Sequence, residues 1–345
     1  MSSKILVIGA TGFVGNAVIE KLVSRRTGLI LAASRTTETS DTGGIDCVKS
    51  IHCDVFDSKS LHEAMHEVDV VINCFRERTT GRDAAVAIQN ILNACEHNKV
   101  KRLIYFSSVA VYGEARGVVV EETLPCEPIN WYGRAKLAAE RACAERASED
   151  FRIAALRPSL IYGPKGSEWS LAFLRSIARG HLLGLGAAGA GTANLVYVED
   201  LADFCERLIS ASIPAFSIFN VNGFPAPTFN DYFGEIARGL GKKARQGGGG
   251  AVRSHGQMRR VVRGALQGLR RLFGPLLARS PRLASVFATT YAAMGARPED
   301  RAATAYSRPV FYSPDRAVAM GFVPRTPLDV GVRNSIAWAR SENLI

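Results

Sequence analysis

Three glycines near the start, Gly9, Gly12 and Gly15, limit what this chain can fold into more than any other feature. They punctuate Gly9-Ala-Thr-Gly12-Phe-Val-Gly15, which follows the apolar run Ile5-Leu-Val-Ile8 and precedes a helical pattern over Asn16–Arg25. Glycine adopts tight-turn backbone at little steric cost and lets another group approach closely. A strand, a sharp turn and a helix N-terminus are therefore expected in succession. Such a junction aims free N–H groups at a diphosphate, which is what a dinucleotide needs. The alternative is a turn that serves the fold alone.

Beyond this junction, short β-rich runs alternate with helical patterns through the first 160 residues. Strands are expected at Lys4–Gly9, Leu29–Ser34, Cys47–His52, Val70–Cys74, Arg102–Ser107 and Arg152–Pro158. They are mostly apolar without a polar face, as in a parallel sheet covered on both sides. Helices are expected at Ser60–Glu67, Asp83–Asn98 and Gly133–Ser148, and later at Ser170–Arg179, Asn230–Leu240 and Val330–Arg340. The fold class is α/β: a Rossmann-type doubly wound parallel sheet over residues 1–165 and a smaller C-terminal substrate lobe over 166–345, with a strand and helix of the latter returning to the sheet.

The chain carries a net charge of +11, and its placement matters more than its size. Between Lys242 and Arg308, 14 Lys or Arg oppose only Glu299 and Asp300, a net of +12 that exceeds the charge of the whole chain. One basic segment argues for a local contact surface and against a nucleic-acid-binding body. Within it, Met258, Val262, Leu266, Leu269, Phe273 and Leu277 recur at helical spacing among arginines, so 258–277 reads as a basic amphipathic helix. It would lie on an anionic membrane surface or beside a lipid-linked or diphosphate substrate; alternatively its leucines pack on the main body and its arginines are solvated.

Seven scattered cysteines without a CxxC pair predict reduced thiols and no metal set. No signal peptide is evident, and the longest late uncharged stretch, Leu283–Ala296, has 14 residues. A helix crossing a bilayer needs about 20, so the expected location is cytoplasmic, with membrane association on the cytoplasmic face as the amphipathic segment's contribution.

A second constellation lies downstream. Tyr105-Phe-Ser107-Ser108-Val-Ala-Val-Tyr112-Gly113 ends the fifth expected strand, and Asn130-Trp-Tyr132-Gly-Arg-Ala-Lys136 opens a helix. Tyr-x-x-x-Lys spacing puts both side chains on one helix face. A phenol has a pKa of about 10 in water and is a poor base at neutral pH without a nearby cation; Lys136 can supply one. Together with Gly9–Gly15, these residues resemble the extended short-chain dehydrogenase/reductase family, which includes nucleotide-sugar epimerases, dehydratases and reductases. Further matches are Asp54-Val55, Arg157-Pro158-Ser-Leu-Ile-Tyr162-Gly163-Pro164, Val196-Tyr-Val-Glu-Asp200-Leu201 and Asp315-Arg-Ala.

The resemblance implies an NAD(P)-dependent oxidoreductase with Ser108, Tyr132 and Lys136 as catalytic residues. Tyr132 would move a proton to or from a substrate hydroxyl while Ser108 holds the same oxygen. The cofactor would meet Gly9, Thr11, Gly12, Phe13, Val14 and Gly15 at its diphosphate, and Ser34 and Arg35 at its ribose. By the same resemblance, Asp54 and Val55 sit by the adenine, and Cys74, Ser107, Tyr132, Lys136 and Pro158 line the remaining cofactor path; Asp200 belongs to a structural or substrate-side network. No acid ends the second strand, and Arg35 stands 20 residues past Gly15. This favours NADP(H), whose 2′-phosphate an arginine accommodates, with NAD(H) left open if Arg35 only stacks on the adenine or solvates its loop.

Dehydratases of the family carry an Asp-Glu pair after the catalytic Ser or Thr, where this chain has Val109-Ala110; dehydration is disfavoured. Epimerisation of a nucleotide-diphosphate sugar, or net reduction of a lipid-like, steroid-like or lipid-linked substrate, both remain. A catalytically silent NADP sensor is opposed by the intact Ser108, Tyr132 and Lys136. Two departures fall on the substrate side: Asn73-Cys74-Phe75-Arg76-Glu77-Arg78 replaces an apolar-Ala-Ala sequence, and Ala84 or Ala85 stands where an Asn is usual. Arg76 and Arg78 would bind an anionic substrate or simply be solvated. A homodimer through helices 83–98 and 133–148 is the assembly the resemblance implies.

Overall fold

The computed structural model describes residues 3–35, 47–76, 81–123, 126–180, 185–242 and 306–345. The expected amphipathic helix at 258–277 and Arg78 lie outside them. The chain divides into two compact units. The first comprises Met1–Gly166, Asn194–Ala226 and Val310–Pro327; the second comprises Ser167–Ala193, Pro227–Pro309 and Leu328–Ile345.

In chain order the first unit begins β1 (Ser3–Ile8), α1 (Phe13–Arg25), β2 (Gly28–Ser34), β3 (Val48–His52), α2 (Ser58–Ala64), β4 (Val70–Asn73), α3 (Gly81–His97) and β5 (Arg102–Phe106). It continues with β6 (Gly117–Val119), α4 (Trp131–Arg146), β7 (Arg152–Pro158) and β8 (Leu160–Tyr162). The second unit supplies α5 (Ala172–Ala178) before the chain returns to the first with β9 (Leu195–Tyr197), α6 (Val198–Arg207) and β10 (Phe216–Val221). Then follow α7 (Phe229–Gly239) in the second unit, β11 (Val310–Tyr312) and α8 (Asp315–Ala319) in the first, and α9 (Leu328–Ser341) in the second.

Seven strands form one sheet in the order β10-β7-β5-β4-β1-β2-β3, every pair parallel. Parallel strands need helical crossovers, which cover both faces. Alternate residues of β1 therefore enter different cores: Ile5 and Val7 pack with Val18 and Leu22 of α1 and Phe204 of α6, whereas Leu6 and Ile8 pack with Leu61 of α2 and Ile91 and Leu92 of α3. Each such buried side chain contributes about 1.5–3 kcal/mol, so both layers, not one, hold the sheet. The chain runs from β1 outward through β2 to the edge strand β3 and then crosses back to β4 on the other side of β1. A topological switch of this kind opens a crevice at the carboxyl ends of the strands.

Several boundaries differ from expectation. The helix expected over Ser170–Arg179 begins as a π turn, Ser167–Leu171, in which the Trp169 carbonyl accepts the Tyr232 hydroxyl, before α5. Two small parallel pairs, β6 with β11 and β8 with β9, accompany the main sheet; β6 and β8 were not anticipated, because three residues are too few to show a period. The described part of the second unit is built around Phe173, Tyr232, Phe233 and Tyr306, all at most 2% exposed.

Candidate active site

The turn after β1 has the backbone its glycines permit. Gly9 sits at φ +78°, and its carbonyl accepts the Gly12 amide at 3.0 Å. A side chain at Gly15 would collide with that same carbonyl, and one at Gly9 would come within 3.0 Å of the Phe75 amide after β4. The three positions leave a cradle that a Cβ would fill, and α1 starts at Phe13 immediately beyond it with Gly12 extended at the N-cap. A helix N-terminus behind a side-chain-free turn suits a diphosphate, so the residues present fit the dinucleotide expected.

Neighbouring strand ends converge on the same rim. At the end of β2, Ser34 is buried and Arg35 is exposed. After β3, the Asp54 carboxylate accepts the Phe56 amide at 3.0 Å while the Asp54 amide donates to Ser60 Oγ at 3.0 Å. Asn90 of α3 fixes the next residue by donating to the Val55 carbonyl at 3.1 Å. Cys74 follows β4 with its amide bonded to the Ile8 carbonyl at 3.0 Å; burial holds its thiol well above the usual range, against the opposing pull of the Lys136 charge. All seven cysteines are free, and burial also pushes the Cys53 and Cys143 thiols up to about 12. Among the described residues no His, Cys, Asp and Glu cluster could hold a metal ion, and no helix is long and apolar enough to cross a membrane.

The catalytic candidates lie where β5 meets α4. Asn130 caps α4 by accepting the Gly133 amide at 2.8 Å, and a side chain at Gly133 would meet the Ala110 carbonyl at 2.5 Å. The first turn of α4, which carries Tyr132, therefore rests directly on the 3-10 turn Val109–Tyr112 that Ser108 caps with its hydroxyl, 3.2 Å from the Ala110 amide. Tyr132 and Ser108 are half-buried, whereas Lys136 is 4% exposed. Lys136 Nζ donates to the Phe106 carbonyl at 2.8 Å and lies 4.9 Å from the Tyr105 ring and 5.8 Å from the Tyr132 ring. The exposed Arg76 sets its guanidinium 5.4 Å from the centre of the same Tyr132 ring. Two cationic side chains thus lie beside one phenol.

A second tyrosine nearby has a different part. The Tyr112 hydroxyl donates to Asn220 Oδ1 at 2.8 Å and accepts from Arg157 at 2.6 Å, and burial pushes its phenol up to about 12 despite the Arg157 charge. It stays protonated at neutral pH and has no open side, so it is a brace and not an acid/base group. Ser107 is buried and donates to Glu140 at 2.5 Å; Glu140 is in turn gripped by Arg157 at 2.9 and 2.6 Å. Sequence reasoning singled out Ser107 and the Arg157-Pro158 pair but missed Glu140, although it stands one turn beyond Lys136 on the face that carries Tyr132. Asp200 closes on Thr326, accepting its amide at 3.2 Å and its hydroxyl at 3.1 Å; burial raises its carboxyl while these bonds pull it down.

The model of the NAD dependent epimerase/dehydratase family matches residues 5–221, nearly the whole of this arrangement and well over half of the chain. The chain belongs to that family. Among curated members, it is 28% identical over 254 residues to the N-acetyl-alpha-D-glucosaminyl-diphospho-ditrans,octacis-undecaprenol 4-epimerase of Escherichia coli O157:H7, across 70% of this chain and 74% of that protein. It is 25% identical to the UDP-glucose 4-epimerase of Vibrio cholerae, across 71% and 78%. In three dimensions it resembles MoeE5, solved with UDP-glucuronic acid and NAD, with a TM-score of 0.71 over 99% of this chain and 100% of that one at 22% identity. The last is a likeness of fold.

Proposed function

We propose that this family member inverts a secondary carbinol of a diphosphate-linked sugar, with Tyr132 as the acid/base group. The observation that carries the reading is the meeting of Tyr132 and Lys136 on α4 with the Ser108 turn, at the strand ends that also bear the Gly9–Gly15 cradle. A nicotinamide dinucleotide held there supplies a hydride acceptor that can also give the hydride back. Ser108 would hold the substrate hydroxyl. Tyr132 would take its proton as that carbon is oxidised and return it to the same oxygen as the carbon is reduced from the opposite face. Lys136 is anchored to the Phe106 carbonyl with its amine beside the phenol ring, so it need not be recruited. Val109 and Ala110 offer no extra acid or base for elimination, which supports inversion over dehydration.

For the cofactor, exposed Arg35 at the end of β2 supports NADP(H) over NAD(H). For the substrate, a relative that acts on an undecaprenyl-diphospho sugar supports a lipid-linked diphosphate sugar as the second form of the reading, beside a nucleotide-linked one. The basic run 242–308 is a sequence feature compatible with either diphosphate, or with an anionic membrane face. A cytoplasmic homodimer through α3 and α4, which pack on one another, completes the reading.

The test is to incubate protein and NAD(P)+ with UDP-glucose, UDP-N-acetylglucosamine and a short-chain polyprenyl-diphospho-N-acetylglucosamine, following sugar stereochemistry by proton NMR and reduced cofactor by absorbance. Inversion without net cofactor change is expected. Stoichiometric cofactor consumption would replace the epimerase with a one-way oxidoreductase, and no reaction with any of the three would overturn the substrate class.

A further inference from the structure

Behind the reacting side chains lies a charged pair that the chemistry never touches. Glu140 and Arg157 are each 3% exposed, joined by two hydrogen bonds of 2.9 and 2.6 Å. Removing two charges from water is costly, and a well-packed apolar pair of similar volume often gives equal or greater stability. Stability alone therefore gives no reason for this pair.

Its position does. Tyr132, Lys136 and Glu140 occupy successive turns of one face of α4. Lys136 Nζ holds the Phe106 carbonyl at 2.8 Å, and Glu140 receives the Ser107 hydroxyl at 2.5 Å. Two successive residues at the end of β5 are thus tied to two successive turns of α4, and the next residue is Ser108. Arg157 also reaches the Tyr112 hydroxyl at 2.6 Å, at the far end of the turn that Ser108 opens.

We propose that Glu140, clamped by Arg157, is a positioning residue for the reaction: through Ser107 it sets α4 in register on the end of β5, so that Ser108, Tyr132 and Lys136 address one substrate oxygen. This rests on the catalytic reading above. Displacing a catalytic group by about 1 Å can cost on the order of 100-fold in rate, so the effect belongs in turnover and not in binding.

Two variants test it. Glu140→Leu/Arg157→Met removes both charges without leaving either unpaired, and Ser107→Ala cuts the tie while keeping the ion pair. In the double variant kcat should fall by about 10-fold or more, with KM and cofactor affinity within about 2-fold and the melting temperature held. Ser107→Ala should lose about 5-fold in kcat with the melting temperature held. Amide exchange over residues 106–112, read without any substrate, should accelerate by about 10-fold in both. A folded double variant with wild-type kcat overturns the proposal, as does a loss carried wholly by KM or cofactor affinity. If the double variant does not fold, Ser107→Ala decides, and wild-type kcat there overturns it. If wild-type protein inverts no sugar, the catalytic reading fails by itself, and unchanged exchange over 106–112 is then the result that sinks the positioning role.

Discussion

The ammonium of Lys136 is bonded to the carbonyl of Phe106 at 2.8 Å, the last residue of a central strand tied to the second turn of a helix. The bond fixes a buried cation 5.8 Å from the Tyr132 ring. Replacing Lys136 by Met should keep the fold, since the methylene stem still fills its place. Turnover should drop by about 100-fold or more; kinetics beside a melting curve check both halves, and near-normal kcat would remove Lys136 from the chemistry.

The glycine cradle makes a sharper claim about geometry. A methyl at Gly15 collides with the Gly9 carbonyl, which is itself fixed by the Gly12 amide. Gly15→Ala should weaken dinucleotide binding by about 10-fold or more, because backbone and not a flexible side chain must yield. Calorimetric titration with NAD+ and NADP+ measures it.

Arg35 should decide between those two dinucleotides. Arg35→Ala is expected to lower affinity for NADP+ by about 10-fold while changing that for NAD+ little, the difference being one charge-assisted contact to a 2′-phosphate. A variant that keeps its NADP+ preference would show that Arg35 has no part in the choice.

Acid stability should turn on Asp203 of α6. Burial alone would raise its carboxyl, but the Lys21 hydrogen bond at 2.9 Å, with Arg25 and Arg325 nearby, holds it below the ordinary value. A folded-state pKa below the unfolded one contributes stability above the unfolded value of about 3.9, which is lost as pH falls through the folded value. Asp203→Asn should therefore melt lower than wild type at pH 7, and the gap should narrow below about pH 4. Equal gaps at both pH values would exclude this linkage.

The sheet was legible because its evidence is local and repeated: six of its seven strands read as apolar runs, most of them leading into a helical pattern, with Gly9–Gly15 marking where the first turns into a helix. The meeting of Tyr132 and Lys136 was legible because they stand four residues apart on one helix. The brace behind them was not. Glu140 could have been found by continuing the same helical phase one more turn, but its partner Arg157 lies 17 residues further on and another strand away. Nothing in periodicity pairs a buried acid with a buried base across that separation. β6 and β8 escaped for another reason: at three residues each they expose or bury too few positions to show alternation, and they exist because β11 and β9 come back beside them.

In the proposed reaction the proton is moved by the Tyr132 phenol. Tyr132→Phe keeps the ring beside Lys136 and Arg76 and deletes only the hydroxyl, so the measurement is kcat for sugar inversion beside cofactor affinity in the same preparation. Affinity should be unchanged, and kcat should fall by about 100-fold to 10,000-fold. Inversion at the wild-type rate with cofactor bound would contradict it.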